Sequence, residues 1–162
     1  MHNRLFFLFL LAASLVAEAG DVVESRLMSM ELARDIATQA VEACREEGFQ
    51  VSAVVVDRSG VVQTVLRDPY ASRFNTEIAT RKANAAVLGN VSTTEFLANR
   101  DDITAVMNHL DEVLVLKGAV PIRAAGRLLG AVGVSGARGG ELDEKCASRG
   151  LESVAERLEF AD

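Results

Sequence analysis

The chain has 162 residues, with 17 Lys+Arg against 23 Asp+Glu and a formal net charge of −6. That length suits one domain with its own core, and 49% apolar with 25% charged residues excludes wholesale disorder. The acidic balance, the lack of a basic stripe and the absence of Trp argue against nucleic-acid binding and against an aromatic stacking platform.

Residues 1–19 read as an export signal. A short basic start at Arg4 precedes an apolar run from Leu5 to Val16, and Ala17-Glu18-Ala19 supplies a small-residue cleavage site. The run is too short to span a bilayer, which takes about twenty residues. Residues 20–162 are then expected to form a single domain outside the cytoplasm, in the periplasm of a bacterial cell. An oxidising space permits a disulfide between Cys44 and Cys146. Two separate buried thiols are the alternative. Two cysteines without clustered His make no zinc site.

Ser29 is placed to cap a helix over residues 30–47. Leu32, Ala33, Ile36, Ala37, Ala40, Val41 and Cys44 form its apolar stripe, and Gly48 ends it. Residues 51–56 are β-branched and mostly apolar, a buried strand. Asp57-Arg58-Ser59-Gly60 suits a type I turn, and residues 61–67 return as a second strand. Asp68-Pro69 breaks it. A helix from Ser72 or Asn75 to Leu88 follows, ended by Gly89. Ser92-Thr93-Thr94-Glu95 has capping-box spacing and opens a short helix to about Asn99. Residues 101–110 read as a helical turn or loop. Residues 114–116 and 120–124 read as extended, and residues 128–135 as a strand entered through Gly126. Residues 141–159 read as one closing helix, in which Gly150 signals a close approach. The order α-β-β-α-α-β-β-α gives an antiparallel sheet flanked by helices, an α+β fold.

Catalytic templates fail. Past residue 2 the only imidazole is His109, and there is no nucleophile elbow, P-loop or His-Glu-x-x-His. Gly130-Ala-Val-Gly133-Val-Ser-Gly136 has the wrong spacing for a dinucleotide fingerprint. Its small residues point to a close approach to the sheet.

Several blocks carry a resemblance. They are Val55-Val56-Asp57 with Gly60, Arg67-Asp68 and Ala71; Glu77-Ile78-Ala79 with Lys82-Ala83 and Ala85-Ala86; and Val120-Pro121-Ile122 with Gly126. The ending adds residues 129–136, Asp143-Glu144-x-Cys146-Ala147 and Gly150-Leu151. Together they resemble the GlcG/HbpS-like haem-binding family, also found as the C-terminal domain of some cobalamin adenosyltransferases. The resemblance covers about residues 27–158. It implies a profilin-like antiparallel sheet, homo-oligomers that are often octamers, and haem held near subunit interfaces for sensing, storage or degradation. Where relatives carry Gly-Gly before Val-Pro-Ile, this chain has Gly118-Ala119. The haem-ligating His near the first helix of some relatives has no counterpart.

The candidate iron ligand is His109. Glu77 and Lys82 are candidates for iron and for a propionate, with a solvated helix face as the plain alternative. Arg67 and Arg123 are candidate carboxylate clamps, and Gly118, Val120 and Pro121 candidate contacts to a macrocycle. Met28, Met30 and Met107 are further ligand candidates or core fillers. The leading expectation is an exported oligomeric haem or tetrapyrrole binder. The alternatives are an enzyme acting on a small carboxylate or on haem, and an interaction module without a ligand.

Overall fold

The computed structural model describes Asp21 and residues 25–161, so the export signal lies outside the described residues. Ser29 accepts a hydrogen bond from the Leu32 amide and opens α1 (Met30–Glu46), which buries Ala33, Ile36, Ala37, Ala40, Val41 and Cys44. Gly48 takes a φ of 83° beyond its end, a conformation glycine reaches without a steric penalty. Strands β1 (Ser52–Asp57) and β2 (Val62–Arg67) form the expected hairpin. Asp57 Oδ1 accepts from the amides of Ser59 and Val61 at 2.8 and 3.0 Å, so this carboxylate holds the turn.

Helix α2 (Arg73–Gly89) runs one residue further than expected. Gly89 is its last residue, and Asn90 adopts the left-handed turn at φ 53°. The position requires glycine for space. A Cβ on Gly89 would lie 2.3 Å from the Phe96 ring carbon of the next helix. Then come α3 (Thr93–Asn99), capped by Ser92, and α4 (Asp101–Met107). Residues 114–116, expected to be extended strand, belong to the loop that leads into β3 (Ala119–Ala124). β4 (Arg127–Ser135) completes a four-stranded antiparallel sheet in the order β2-β1-β4-β3. Pro121 sits on edge strand β3, where a missing amide is tolerated.

The single closing helix expected over residues 141–159 is two helices, α5 (Gly140–Glu152) and α6 (Ala155–Glu159). Val154 turns inward at the break and joins the main core. Gly150 explains the packing that precedes it: a Cβ there would lie 2.6 Å from the Ile36 carbonyl oxygen, so α5 lies against α1 at backbone distance.

Both faces of β1 are covered, hence its unbroken apolar run. Ala53 and Val55 face the layer of α1 and α5, with Val132 and Val134 beside them. Val54, Val56 and Ala131 face α2 through Ala79, Ala83 and Ala86. Gly133 lets α2 settle on the sheet, since a Cβ would fall 2.1 Å from the Ala79 carbonyl oxygen. α2 covers β2 only in part, and Val62 and Val65 are each 44% exposed. This α+β sandwich is the architecture expected from the element order.

Candidate functional site

One polar centre lies inside the sandwich, where α2, the β3 entry and α5 meet. Lys82 is 1% exposed and Asp143 4%. Lys82 Nζ donates to Asp143 Oδ2 at 2.8 Å and to the Val134 carbonyl at 3.0 Å. The other carboxylate oxygen of Asp143 accepts from the Ala137 amide at 2.9 Å. Burial pushes the Asp143 carboxyl above the ordinary aspartate range, against the pull of Lys82 and of the neighbouring amides.

Gly118 sits over this pair with φ 133°. A Cβ there would be 2.6 Å from Lys82 Nζ and 2.9 Å from the Val134 oxygen. The position needs glycine for conformation and for space. Beside it, Glu144 Oε2 accepts from Thr93 Oγ1, the Thr94 amide and the Gly118 amide at 2.8, 3.1 and 3.2 Å. Thr93 Oγ1 in turn accepts from the Gly118 and Ala119 amides at 2.9 and 3.0 Å. Every charge here has a partner. The arrangement ties α2, α3, β3 and α5 together, and Lys82 and Gly118 are committed to it.

A separate open cleft of about 560 Å³ lies between β3 and the two C-terminal helices. Val120, Pro121, Leu151, Ala155 and Leu158 give it apolar walls. Ala125 and the polar Arg123, Ser148, Glu152 and Glu159 complete its lining. Arg123 Nη2 donates to the Asn90 carbonyl at 2.6 Å, which fixes the guanidinium beside β3. Its remaining N–H groups are the cationic feature of the cleft.

The structure brings Val120, Pro121 and Arg123 together and disperses the other expected residues. Arg67, at the end of β2, donates to the Ala71 carbonyl at 2.6 Å. Glu77 is exposed and lines a shallow groove with Thr80, Arg81 and Asp111. His109 is exposed in the turn after α4 and lines none of the cavities described here. Met28 is buried in the main core, Met107 packs in a satellite cluster with Phe96, and Met30 is 64% exposed at the start of α1. A second groove of about 620 Å³ runs between the β1–β2 turn and residues 110–113, with Arg58 at its edge. Among the described residues, no group of three or more His, Cys, Asp or Glu is placed to hold a metal ion. No described helix is long and apolar enough to cross a membrane.

Sequence reasoning missed Asp143, Glu144 and Thr93 as one network. It also left the cysteines open, and they form a disulfide between α1 and α5. One signal for the buried pair was present. Lys82 lies on the same helical face as Ala79 and Ala86, the apolar face of α2, where a solvated lysine would not sit.

Comparison with known proteins decides the family. Residues 28–152 match the family described as haem degrading protein HbpS-like. The chain belongs to that family. A double mutant of HbpS from Streptomyces reticuli is 33% identical, with a TM-score of 0.78 over 89% of this chain and 98% of that one. The ORFY protein of Klebsiella pneumoniae is 21% identical, with a TM-score of 0.77 over 84% of this chain and 96% of that one. PduOC, solved as a complex with haem, is 24% identical, with a TM-score of 0.70 over 79% and 95%. The last two likenesses establish the shared fold. No curated protein is significantly similar to the chain. The Lys82–Asp143 pair and the cleft of β3, α5 and α6 are thus features of a member of the HbpS-like family.

Proposed function

We propose that the chain is an exported haem-binding protein that works as a homo-oligomer. The observation that carries the reading is the apolar cleft with Arg123 on its lining, in a chain matched to the HbpS-like family over residues 28–152. The complex of PduOC with haem adds support from a protein of the same fold.

The lining suits an apolar macrocycle and one of its carboxylates. The cleft lies within the roughly 300–1,000 Å³ usual for cofactor sites, and such sites are mostly apolar with a few placed polar groups. Leu151 and Leu158 present aliphatic surface to a flat macrocycle, and Val120 and Pro121 form the opposing strand wall. The free N–H groups of Arg123 suit a propionate carboxylate. Haem, when bound, supplies a redox-active iron. The chain's own part is to shield one face of the macrocycle from water and to orient its carboxylates.

Hemin titration followed at the Soret band tests this. Saturable binding is expected. Leu151→Asp sets a charge against the apolar face and should weaken binding at least tenfold, about 1.4 kcal/mol. Arg123→Ala removes one charge-assisted contact and should cost several-fold. A wild-type titration without saturation would overturn the reading.

Export is supported by the signal-like residues 1–19 and by the disulfide, a bond of oxidising compartments. Self-association is supported by the bare flank of β2, where exposed Val62 and Val65 are joined by exposed Tyr70 and Phe74. Light scattering should report a multimer, and Val62→Lys with Val65→Lys should lower its mass. A wild-type monomer would overturn the oligomer.

A further inference from the structure

Two polar atoms stand outside the networks described above. Among the described residues, Arg81 Nε and Asn84 Oδ1 are the buried side-chain nitrogen and oxygen atoms without a hydrogen-bond partner. They lie three residues apart on α2, so their side chains are neighbours on one helix face. Both side chains are held from their other ends. Arg81 Nη2 donates to the Val113 carbonyl at 3.2 Å, and Asn84 Nδ2 donates to the Glu112 carbonyl at 3.0 Å. The Asn84 oxygen is thereby turned towards Gly60, where an added Cβ would lie 3.1 Å from it. A fixed donor and a fixed acceptor left unpaired side by side are a cost to the fold that a bound partner would remove.

Arg81 and Asn84 line a groove of about 330 Å³ between β2 and α2, and Asn84 also lines the groove of about 620 Å³. The two grooves meet at Gly60, Asn84, Asp111 and Glu112, and they share no residue with the cleft of β3, α5 and α6. An occupant must donate to Asn84 Oδ1 and accept from Arg81 Nε. Glu77, Asp111 and Glu112 border the grooves and repel an anion, while the Arg81 guanidinium repels a cation. Val87, Leu88, Leu110 and Val113 supply an apolar wall. We infer that the joined grooves are a second binding site, for a neutral ligand with an apolar body and an amide edge, N–H beside C=O, as in a lactam. Arg58, Ser59, Asp111 and Glu112 are exposed, and these bordering segments shift to admit the ligand to the two covered atoms.

The test titrates ¹⁵N-labelled protein with ε-caprolactam, whose N–H and C=O share one edge, and follows backbone amide shifts. Saturable shifts are expected at Gly60 and residues 110–113, and none at Val120 or Leu151 of the other cleft. N-methylcaprolactam lacks the donor and should bind at least tenfold more weakly to the wild type. Arg81→Lys keeps the charge without Nε–H, and Asn84→Leu removes the acceptor; each should weaken caprolactam binding several-fold. Circular dichroism shows whether each variant is folded, and the N-methyl comparison needs no variant. Absence of saturation in the wild type, equal binding of the two lactams, or unchanged affinity in both folded variants would overturn the site. Hemin affinity should be the same with and without saturating caprolactam. Competition between them would overturn the claim of a second site. A wild type that binds caprolactam and not hemin would keep this inference and overturn the haem reading.

Discussion

Lys82→Met is expected to destabilise the fold by about 3–5 kcal/mol at neutral pH, the usual cost of stranding one partner of a buried ion pair. Asp143 would keep its amide from Ala137 but lose the ammonium at 2.8 Å. The pH dependence distinguishes this cause from lost packing. Burial already holds the Asp143 carboxyl above its ordinary value of 3.8. The folded chain therefore binds that proton more tightly than the unfolded chain, and the ionised carboxylate opposes folding above the raised value. Removing Lys82 removes the main attraction that pulls the value back down. The deficit of Lys82→Met should thus be largest at neutral pH and shrink as pH falls through the folded-state value. Urea unfolding of wild type and variant at neutral pH and near pH ~5 gives the two differences. Lys82→Met with Asp143→Asn keeps an acceptor for the Ala137 amide without the charge, and should recover most of the loss with little dependence on pH. The exposed carboxylates Asp35, Glu47 and Glu141 are held below their usual range by Arg157, Lys145 and Lys117. They are present in every variant, so they cancel in the comparison. A deficit that is flat with pH would reject the stranded-charge account.

What was legible in the sequence is what local chemistry decides. Ser29 and Ser92 cap helices because a hydroxyl beside free amides suffices. Asp57 and Gly60 make a turn within four residues. The β-branched run of β1 declares a strand covered on both faces. Where expectation failed, a distant partner decided. Gly89 is the last helical residue and lies against Phe96 of the next helix, and the last helix breaks where Val154 enters the core. The same holds for the candidate site. Val120, Pro121 and Arg123 are close in sequence and share a cleft. Lys82 and Asp143 are 61 residues apart, and charge alone makes both look solvated. Only the apolar neighbours of Lys82 on α2 betrayed its burial.

Removing the disulfide should lower stability by about 2–5 kcal/mol, the usual range for a native bridge. Cys44 and Cys146 are separated by 102 residues, so the bridge closes most of the domain into a loop. Loop closure of about that length carries an entropic effect on the unfolded chain of roughly 4.7 kcal/mol. The bridge also fastens α1 to α5, the pair of helices that meets at Gly150 without an intervening side chain. The surface ion pairs across this layer, Asp35–Arg157 and Glu47–Lys145, are exposed and contribute little in comparison. Cys44→Ala with Cys146→Ala should therefore melt lower by roughly 2–4 °C per kcal/mol lost. Reductant should lower the wild-type melting temperature and leave the double variant unmoved, which separates the bond from the cavity made by losing two sulfur atoms. A wild type insensitive to reductant under denaturing conditions would show that the bond does not form. Protein made in a reducing cytosol should carry free thiols and melt like the reduced wild type. If export places the chain where the bridge closes, its full stability appears only after it has crossed the membrane.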